Sequence, residues 1–453
     1  MLPHSEQKVE LVTNTAPLAG LKVLDLSRVL AGPWASQTLA DMGADVIKIE
    51  RPGLGDDTRT WGPPWYTDTD GEQLSAYFMS ANRGKRSVTI DMATDEGQML
   101  VREFASRSDI LIENFKVGDM ARRGLDYASL HAANPRLIYC SITGFGQTGP
   151  YKERPGYDFM IQGMSGLMSI TGEPDSSTTG GTTGGPQKVG VAVADIMTGL
   201  YSTIAILGAI EDRHRSGLGQ CIDMSLFDVM AASLANQASN YLVSGVAPGR
   251  LGNAHPNVVP YQTFATSDGY IIVAVGNDSQ FRKLCEAIDM PQLATDPAYL
   301  TNALRVKNRE SLVAQLQPGM QTQSLDHWLQ VLEAFGVPCG PINTIDRLFA
   351  DPQAQHRGVQ MSIDGMPLVS NPIRYSRSSL NAEIKPPVLG RHTDEVLQAE
   401  LGLDQAAIDA LRVRGVLGQS KVGESKVGQS KVGESTAGQS KDGENKDGES
   451  NVG

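Results

Sequence analysis

The sequence predicts an α/β fold: a large domain on an open, Rossmann-like parallel sheet, joined to a smaller α+β domain. The first of three supporting observations is a strand–helix–strand unit. Leu21-Lys-Val-Leu-Asp-Leu-Ser27 alternates and is rich in aliphatic residues, 31–44 has helical spacing with Pro33 near its start, and Asp45-Val-Ile-Lys-Ile-Glu50 closes the unit. Right-handed crossovers and parallel strands follow from such units. The second is its recurrence, as strand 87–92, helix 95–108, strand 110–115, helix 120–133 and strand 136–142. The third is a change of character further on, where strand 260–266, the turn Ser267-Asp-Gly269 and strand 270–275 read as a hairpin followed by helices at about 278–290, 303–318 and 324–335.

Taken in order, residues 1–17 are polar, end at Pro17 and form a loose leader. A long helical pattern covers 188–215 and stops at Gly217; 220–224 returns as a strand, and 226–242 is a second long helix. The large domain is expected over 18–225 and again over 336–417, reached through Gly336-Val-Pro-Cys-Gly-Pro341, with the small domain at 226–335 between them. From 418 to 453 the chain repeats every five residues around Gly-Gln-Ser-Lys-Val, a composition too poor in apolar area to offset the entropy of ordering. That tail is expected to be disordered, and with five lysines against six acids it does not set the charge of the protein.

A chain of 453 residues is long enough for two domains and a large core. No run approaches the ~20 apolar residues of a membrane span, and the first twenty residues make a poor signal peptide, so a cytoplasmic protein without a membrane partner is expected. The net charge of −12 argues against a nucleic-acid partner. It leaves room for a small anion, because basic residues bunch in the N-terminal third at Lys48, Arg51, Arg59, Arg83, Lys85, Arg86, Arg122 and Arg123. Cys140, Cys221, Cys285 and Cys339 are far apart, lack C-x-x-C spacing and read as reduced core thiols rather than metal ligands. The first strand–helix turn, Ser27-Arg-Val-Leu-Ala-Gly-Pro33, lacks G-x-G-x-x-G, and no G-x-x-x-x-G-K-[ST] loop occurs. Nicotinamide and P-loop chemistry are therefore not expected, though the free amides of that helix start can hold a carbonyl oxygen or a phosphate.

The chemistry is expected in Arg154-Pro-Gly-Tyr-Asp-Phe-Met-Ile-Gln-Gly-Met-Ser-Gly166, where a Pro-Gly turn carries Asp158 into an apolar helix start. A carboxylate there is costly unless it is used or paired; helix capping is the competing role. Turn-rich Gly144-Phe-Gly-Gln-Thr-Gly-Pro150 precedes it, and a Gly/Thr/Ser-rich run at 176–185 follows as a candidate mobile cover.

These segments, in this order, resemble the family III (CaiB/BaiF-type) coenzyme A transferases. The resemblance runs from about 18 to 418 and rests on Leu21-Lys-Val-Leu-Asp-Leu with Leu30-Ala-Gly-Pro33, Gly43-Ala-Asp-Val-Ile-Lys-Ile-Glu-Arg-Pro-Gly53 with Gly55-Asp56, Asn82-Arg-Gly-Lys-Arg-Ser87, Leu111-Ile-Glu-Asn-Phe115, Gly144–Pro150, Pro155-Gly-Tyr-Asp158 and Gly390-Arg-His-Thr-Asp-Glu395. It implies transfer of CoA from an acyl-CoA to a carboxylic acid, with Asp158 as nucleophile and with anhydride and aspartyl-CoA thioester intermediates. CoA is a substrate in such a reaction, and no cofactor or metal is implied. The resemblance puts Arg51, Lys85, Asn114, Phe115 and Arg122 on the CoA phosphates and adenine and Val29, Leu30 and Ala31 near the thioester, and Tyr157, beside the nucleophile, is counted with them as a CoA- or substrate-binding residue. It also implies an interlocked homodimer.

Family members with a glutamine at the position of Leu30 use it at the active site. Its absence here argues against a small oxalate-type acid. The sequence from 251 to 279 looks most like the branch acting on succinyl-CoA with glutarate or related dicarboxylates, with Arg28, Arg250 or His255 available for a distal carboxylate. Two alternatives remain. One is an α-methylacyl-CoA racemase, for which Asp195 matches a second aspartate but Tyr157 replaces the histidine base. The other is a non-catalytic acyl-CoA-binding protein, which would dispense with Asp158.

Overall fold

The computed structural model describes residues 15–69, 71–175, 178–179 and 182–419; most of the leader, part of the candidate cover at 176–185 and the repeats from 420 on lie outside them. Six strands, β1 (Lys22–Asp25), β2 (Asp45–Glu50), β3 (Lys85–Thr89), β4 (Ile110–Glu113), β5 (Ile138–Thr143) and β6 (Cys221–Ser225), form one wholly parallel sheet in the order β3-β2-β1-β4-β5-β6. This is the Rossmann-like order, and it reverses between β1 and β4, where a crevice opens beyond the strand ends. Alternate side chains enter opposite cores. Val23, Val46, Ile110, Ile112, Ile138 and Cys140 face one, and Leu24, Ile47, Leu111 and Tyr139 face the other. Burial on both faces explains why these strands read as near-continuous aliphatic runs.

Helix α1 (Ala31–Asp41) links β1 to β2 and α2 (Asp95–Ser106) links β3 to β4, while α3 (Asp158–Met164) and α4 (Val193–Ser216) lie between β5 and β6. Among the described helices, α4 alone has the length and apolarity to cross a membrane, yet it lies against α1 and buries Arg213, which pairs with Asp109 at 3.1 Å. The helix expected over 120–133 is instead two short ones, Asp119–Arg122 and Tyr127–His131, parted at Gly124 by its positive φ. The expected helix 226–242 is likewise split into α5 (Leu226–Ser233) and α6 (Ala235–Ser244), with Ala235 at φ 48°. Leu226 and Met230 of α5 pack in the first core, against the sheet.

A second core forms around β7 (Tyr261–Ala265), β8 (Tyr270–Ala274) and β9 (Cys339–Pro341), an antiparallel sheet covered by α7 (Asp278–Ala287), α8 (Arg309–Met320) and α9 (Leu325–Ala334). Cys339–Pro341, expected to lead straight back to the large sheet, pairs with β8 first. The return is completed by α10 (Thr393–Leu401) and α11 (Gln405–Val413), whose Val396, Leu397, Ile408 and Leu411 close the core over β2 and β3. All four cysteines are free; Cys140 and Cys285 are buried, but Cys221, expected in the core, is exposed on the edge strand β6.

Candidate active site

At the crevice, the turn after β1 is held from three sides. Asn114, just past β4, clasps Arg28: its Oδ1 accepts from the Arg28 N–H (2.9 Å) and its Nδ2 donates to the Arg28 carbonyl (2.7 Å). Lys48, fully buried on β2, donates to the Ser27 carbonyl (2.7 Å) and pairs with Asp56 at 3.0 Å. Asp56 in turn accepts from the Val29 N–H at 3.1 Å. Val29 has φ 71°, a left-handed conformation that is a genuine outlier for a β-branched residue, and such strain persists only where the surroundings over-determine it. Burial opposes charge on Asp25, but Lys48 and Lys85 with the Ser27 and Ser36 hydroxyls outweigh it and hold its carboxyl well below the usual range. Burial likewise works against the Lys48 ammonium, and Asp56, Asp25 and Glu50 reverse it and push its pKa up.

Asp158 is brought to the same crevice by a backbone contact. A Cβ on Gly156 would lie 2.2 Å from the Gly144 Cα, and one on Gly144 would lie 2.4 Å from the Gly156 Cα, so the Pro155-Gly-Tyr-Asp turn can pack onto the end of β5 only with glycine at both positions. Asp158 is the first residue of α3 and does not cap it; the cap position is Tyr157, which makes no side-chain capping bond. Its carboxylate reaches sideways instead. Oδ1 accepts from the Ala194 N–H (2.8 Å) in the first turn of α4, whose own cap residue Ala192 contributes no side-chain bond. Oδ2 accepts from Gln162 Nε2 (2.7 Å), one turn along α3. The capping role is therefore real but belongs to the neighbouring helix.

A cavity of about 340 Å³ opens over Asp158, lined among others by Arg28, Val29, Ala31, Tyr157, Asp195 and Leu226. Asp195 has no hydrogen-bond or ion-pair partner among the described residues; burial first and then the Asp158 charge push its pKa up to about 7. Burial and the nearby Asp195, Asp158 and Asp56 charges push the Tyr77 hydroxyl up to about 12. A carboxyl that folds with a raised pKa binds more protons folded than unfolded, so its contribution is fully present below the unfolded value and is lost as pH rises to about 7. Asp195→Asn is thus expected to be more stable than the parent at alkaline pH, by on the order of 2–4 kcal/mol, and to match it near acid pH. Urea denaturation across that range checks this.

A second cavity, of about 390 Å³, adjoins the first over β1, β2 and β3 and shares Arg28, Asp57, Phe115 and Asp119 with it. Arg51 and Phe115 line it, as does Arg123, and the Phe115 ring lies 5.6 Å from the Arg28 guanidinium and 5.9 Å from that of Arg123. Three expected ligand contacts are corrected here. Lys85 is fully buried, and its ammonium donates to Asp25 (3.1 Å), the Pro33 carbonyl (3.0 Å) and Asn82 (2.9 Å), which uses all three protons. Arg122 lines neither cavity; it is exposed and paired with Asp119, and its neighbour Arg123 lines the second cavity instead. Leu30 is buried beneath the turn, while Val29 and Ala31 line the first cavity.

Asn114 lines that first cavity too, but both polar atoms of its amide are engaged by Arg28. Of the cations considered for a distal carboxylate, Arg28 lines both cavities and pairs with Asp57 at 3.0 Å. Arg250 is taken up by Asp175 and the Glu173 carbonyl, and the His255 Nδ1 by the Asn257 N–H. Lys152 and Arg154, not singled out from the sequence for this role, line the Asp158 cavity. Gln162 was also missed, although its i+4 spacing from Asp158 puts both on one helix face.

Asp158 is thus a carboxylate in an open cavity, held by two N–H donors beside a second cavity lined by Arg51, Phe115 and Arg123 on a Rossmann-like sheet. Residues 18–393 match the family model for CoA-transferase family III, and the chain belongs to that family. It is 52% identical over 396 residues to the succinate–glutarate CoA-transferase of Agrobacterium fabrum, covering 85% of this chain and 96% of that one. It is 42% identical over 413 residues to the human succinyl-CoA:glutarate CoA-transferase, covering 90% and 91%. A solved structure of a CAIB/BAIF family protein from Brucella suis superimposes with a TM-score of 0.76 at 54% identity, covering 85% of this chain and all of that one.

Proposed function

We propose that this CoA transferase moves CoA from succinyl-CoA to glutarate or a related dicarboxylate through a covalent cycle on Asp158. The observation that carries the reading is Asp158 itself: a carboxylate lining a cavity, held by the Ala194 N–H and the Gln162 amide, a nucleophile whose attack needs no adjacent base. In the first half-reaction an Asp158 oxygen attacks the thioester carbonyl, the thiolate of CoA departs, and a mixed anhydride remains. The thiolate then attacks the Asp158 carbonyl carbon, releasing succinate and leaving an aspartyl-CoA thioester. The acceptor acid runs these steps in reverse and restores the carboxylate.

The acyl group would occupy the cavity at Val29, Ala31 and Asp158, and the nucleotide end of CoA the adjoining one, where Phe115 offers a stacking face and Arg51 and Arg123 have no carboxylate partner among the described residues. A distal carboxylate in the first cavity would meet Arg28, Lys152 or Arg154. A homodimer belongs to the same reading, supported by the apolar Tyr241, Leu242 and Val243, which α6 leaves exposed, as do a cytoplasmic location and a reaction that needs no cofactor beyond CoA as substrate.

The test follows CoA transfer from succinyl-CoA to a panel of mono- and dicarboxylates by mass spectrometry. Glutarate and its homologues are expected to be accepted at least ~10-fold better, in kcat/KM, than monocarboxylates of equal length, because a site that pairs a charge penalises the analogue lacking it. Equal use of both classes would contradict the dicarboxylate reading, and proton exchange on an α-methylacyl-CoA without transfer would favour the racemase.

A further inference from the structure

The nucleophile in this cycle is also an electrophile, and the charge that develops on it needs a donor. Each time thiolate or acceptor carboxylate attacks the Asp158 carbonyl carbon, the C=O electron pair moves onto the oxygen not bonded to the acyl group or sulfur. It returns as the C–O or C–S bond to the leaving group breaks. A donor set before the reaction at that oxygen lowers the barrier, because nothing has to reorganise at the moment of charge development.

Gln162 is built for this. It is fully buried, and its Nε2 donates to Asp158 Oδ2 at 2.7 Å. Its amide orientation is fixed from the other end, since Oε1 accepts from the Val189 N–H at 2.9 Å, just before α4. The Ala194 N–H holds the second oxygen, Oδ1, at 2.8 Å. We infer that Gln162 is a catalytic residue: Oδ2 stays the carbonyl oxygen throughout the cycle, and the Gln162 amide stabilises the oxyanion that forms on Asp158 itself, while Oδ1 bonds the acyl group, leaves with succinate as the thiolate attacks, and is replaced by an oxygen of the acceptor carboxylate. The proton stays on Gln162 from start to finish, so the cycle needs no other reactant.

This rests on Asp158 being the nucleophile, and Asp158→Ala is run in parallel so that failure of that premise is seen separately, as retained transfer in that variant. Gln162→Met removes the donor and is expected to lower kcat by about 10²–10³-fold with KM for succinyl-CoA within about threefold. Gln162→Glu keeps the shape and the acceptor for Val189, and separates chemistry from packing. At about pH 8 it is expected to show the same loss, and toward about pH 6 to recover at least ~10-fold relative to the parent, as the introduced acid takes up a proton and donates again. The titratable groups around that position are Asp158 on α3 and Asp195 on α4, with Tyr77 near both. Asp195→Asn combined with Gln162→Glu shows whose proton is responsible: recovery that persists in the double variant belongs to the residue at 162. Turnover of Gln162→Met within about threefold of the parent, or a Gln162→Glu profile parallel to the parent profile, would overturn the assignment.

Discussion

Asp158→Ala is expected to lower kcat by about 10⁴-fold or more, since the covalent route is lost. Binding of CoA is expected to change by less than about threefold, because the adjoining groove at Arg51, Phe115 and Arg123 is built from different elements. The change also strips one acceptor from the Ala194 N–H and one from Gln162. Both residues are buried and neither lines the cavity, so the cost in stability is expected to be about 1–3 kcal/mol. Calorimetric titration with CoA beside a turnover assay separates the two effects; loss of both together would point to a collapsed fold instead.

Lys48→Met has the largest expected effect on stability. Lys48 lies among Asp56 at 3.0 Å, the Ser27 carbonyl at 2.7 Å and Asp25 at 4.0 Å, all of them buried. Removing the ammonium leaves two carboxylates in the interior with Lys85 as the remaining cation beside Asp25, and breaking a buried pair in this way costs about 3–5 kcal/mol. Arg107→Met is the control. Its pair with Glu103 is about half exposed on both sides, and such a surface pair is worth at most about 1 kcal/mol. Urea midpoints of the two variants are expected to differ accordingly. Because Asp56 also carries the strained Val29 turn, surviving Lys48→Met protein is expected to lose activity more than its residual stability explains.

The parallel sheet was legible because β1, β2, β4 and β5 alternate between two apolar cores, and both of their faces had to be aliphatic. The same double burial hid the charges. Lys48 and Lys85 sit in strands where a surface lysine is the ordinary reading, and the basic cluster of the N-terminal third looked like one anion site. Most of it is internal pairing: Lys48 with Asp56, Arg59 with Glu50, Arg83 with Asp41, Lys85 with Asp25, Arg86 with Asp45 and Arg122 with Asp119. Only tertiary structure decides which cations remain for a ligand. Asp158 was singled out through the family motifs around its Pro-Gly turn, which by itself favours a cap, but its hydrogen-bond partners were not, since Ala194 is a backbone donor 36 residues away and carries no sequence signal. The break at Ala235 was equally hidden, because an alanine with positive φ leaves no mark in the periodicity.

The central claim is that CoA becomes covalently attached to Asp158. Incubating the protein with succinyl-CoA in the absence of acceptor, quenching with hydroxylamine and mapping the digest by mass spectrometry tests it most directly. A hydroxamate on Asp158, absent from Asp158→Ala protein and from protein without succinyl-CoA, is the predicted result. Competent transfer with no modified residue, or with the hydroxamate on another carboxylate such as Asp195, would contradict it.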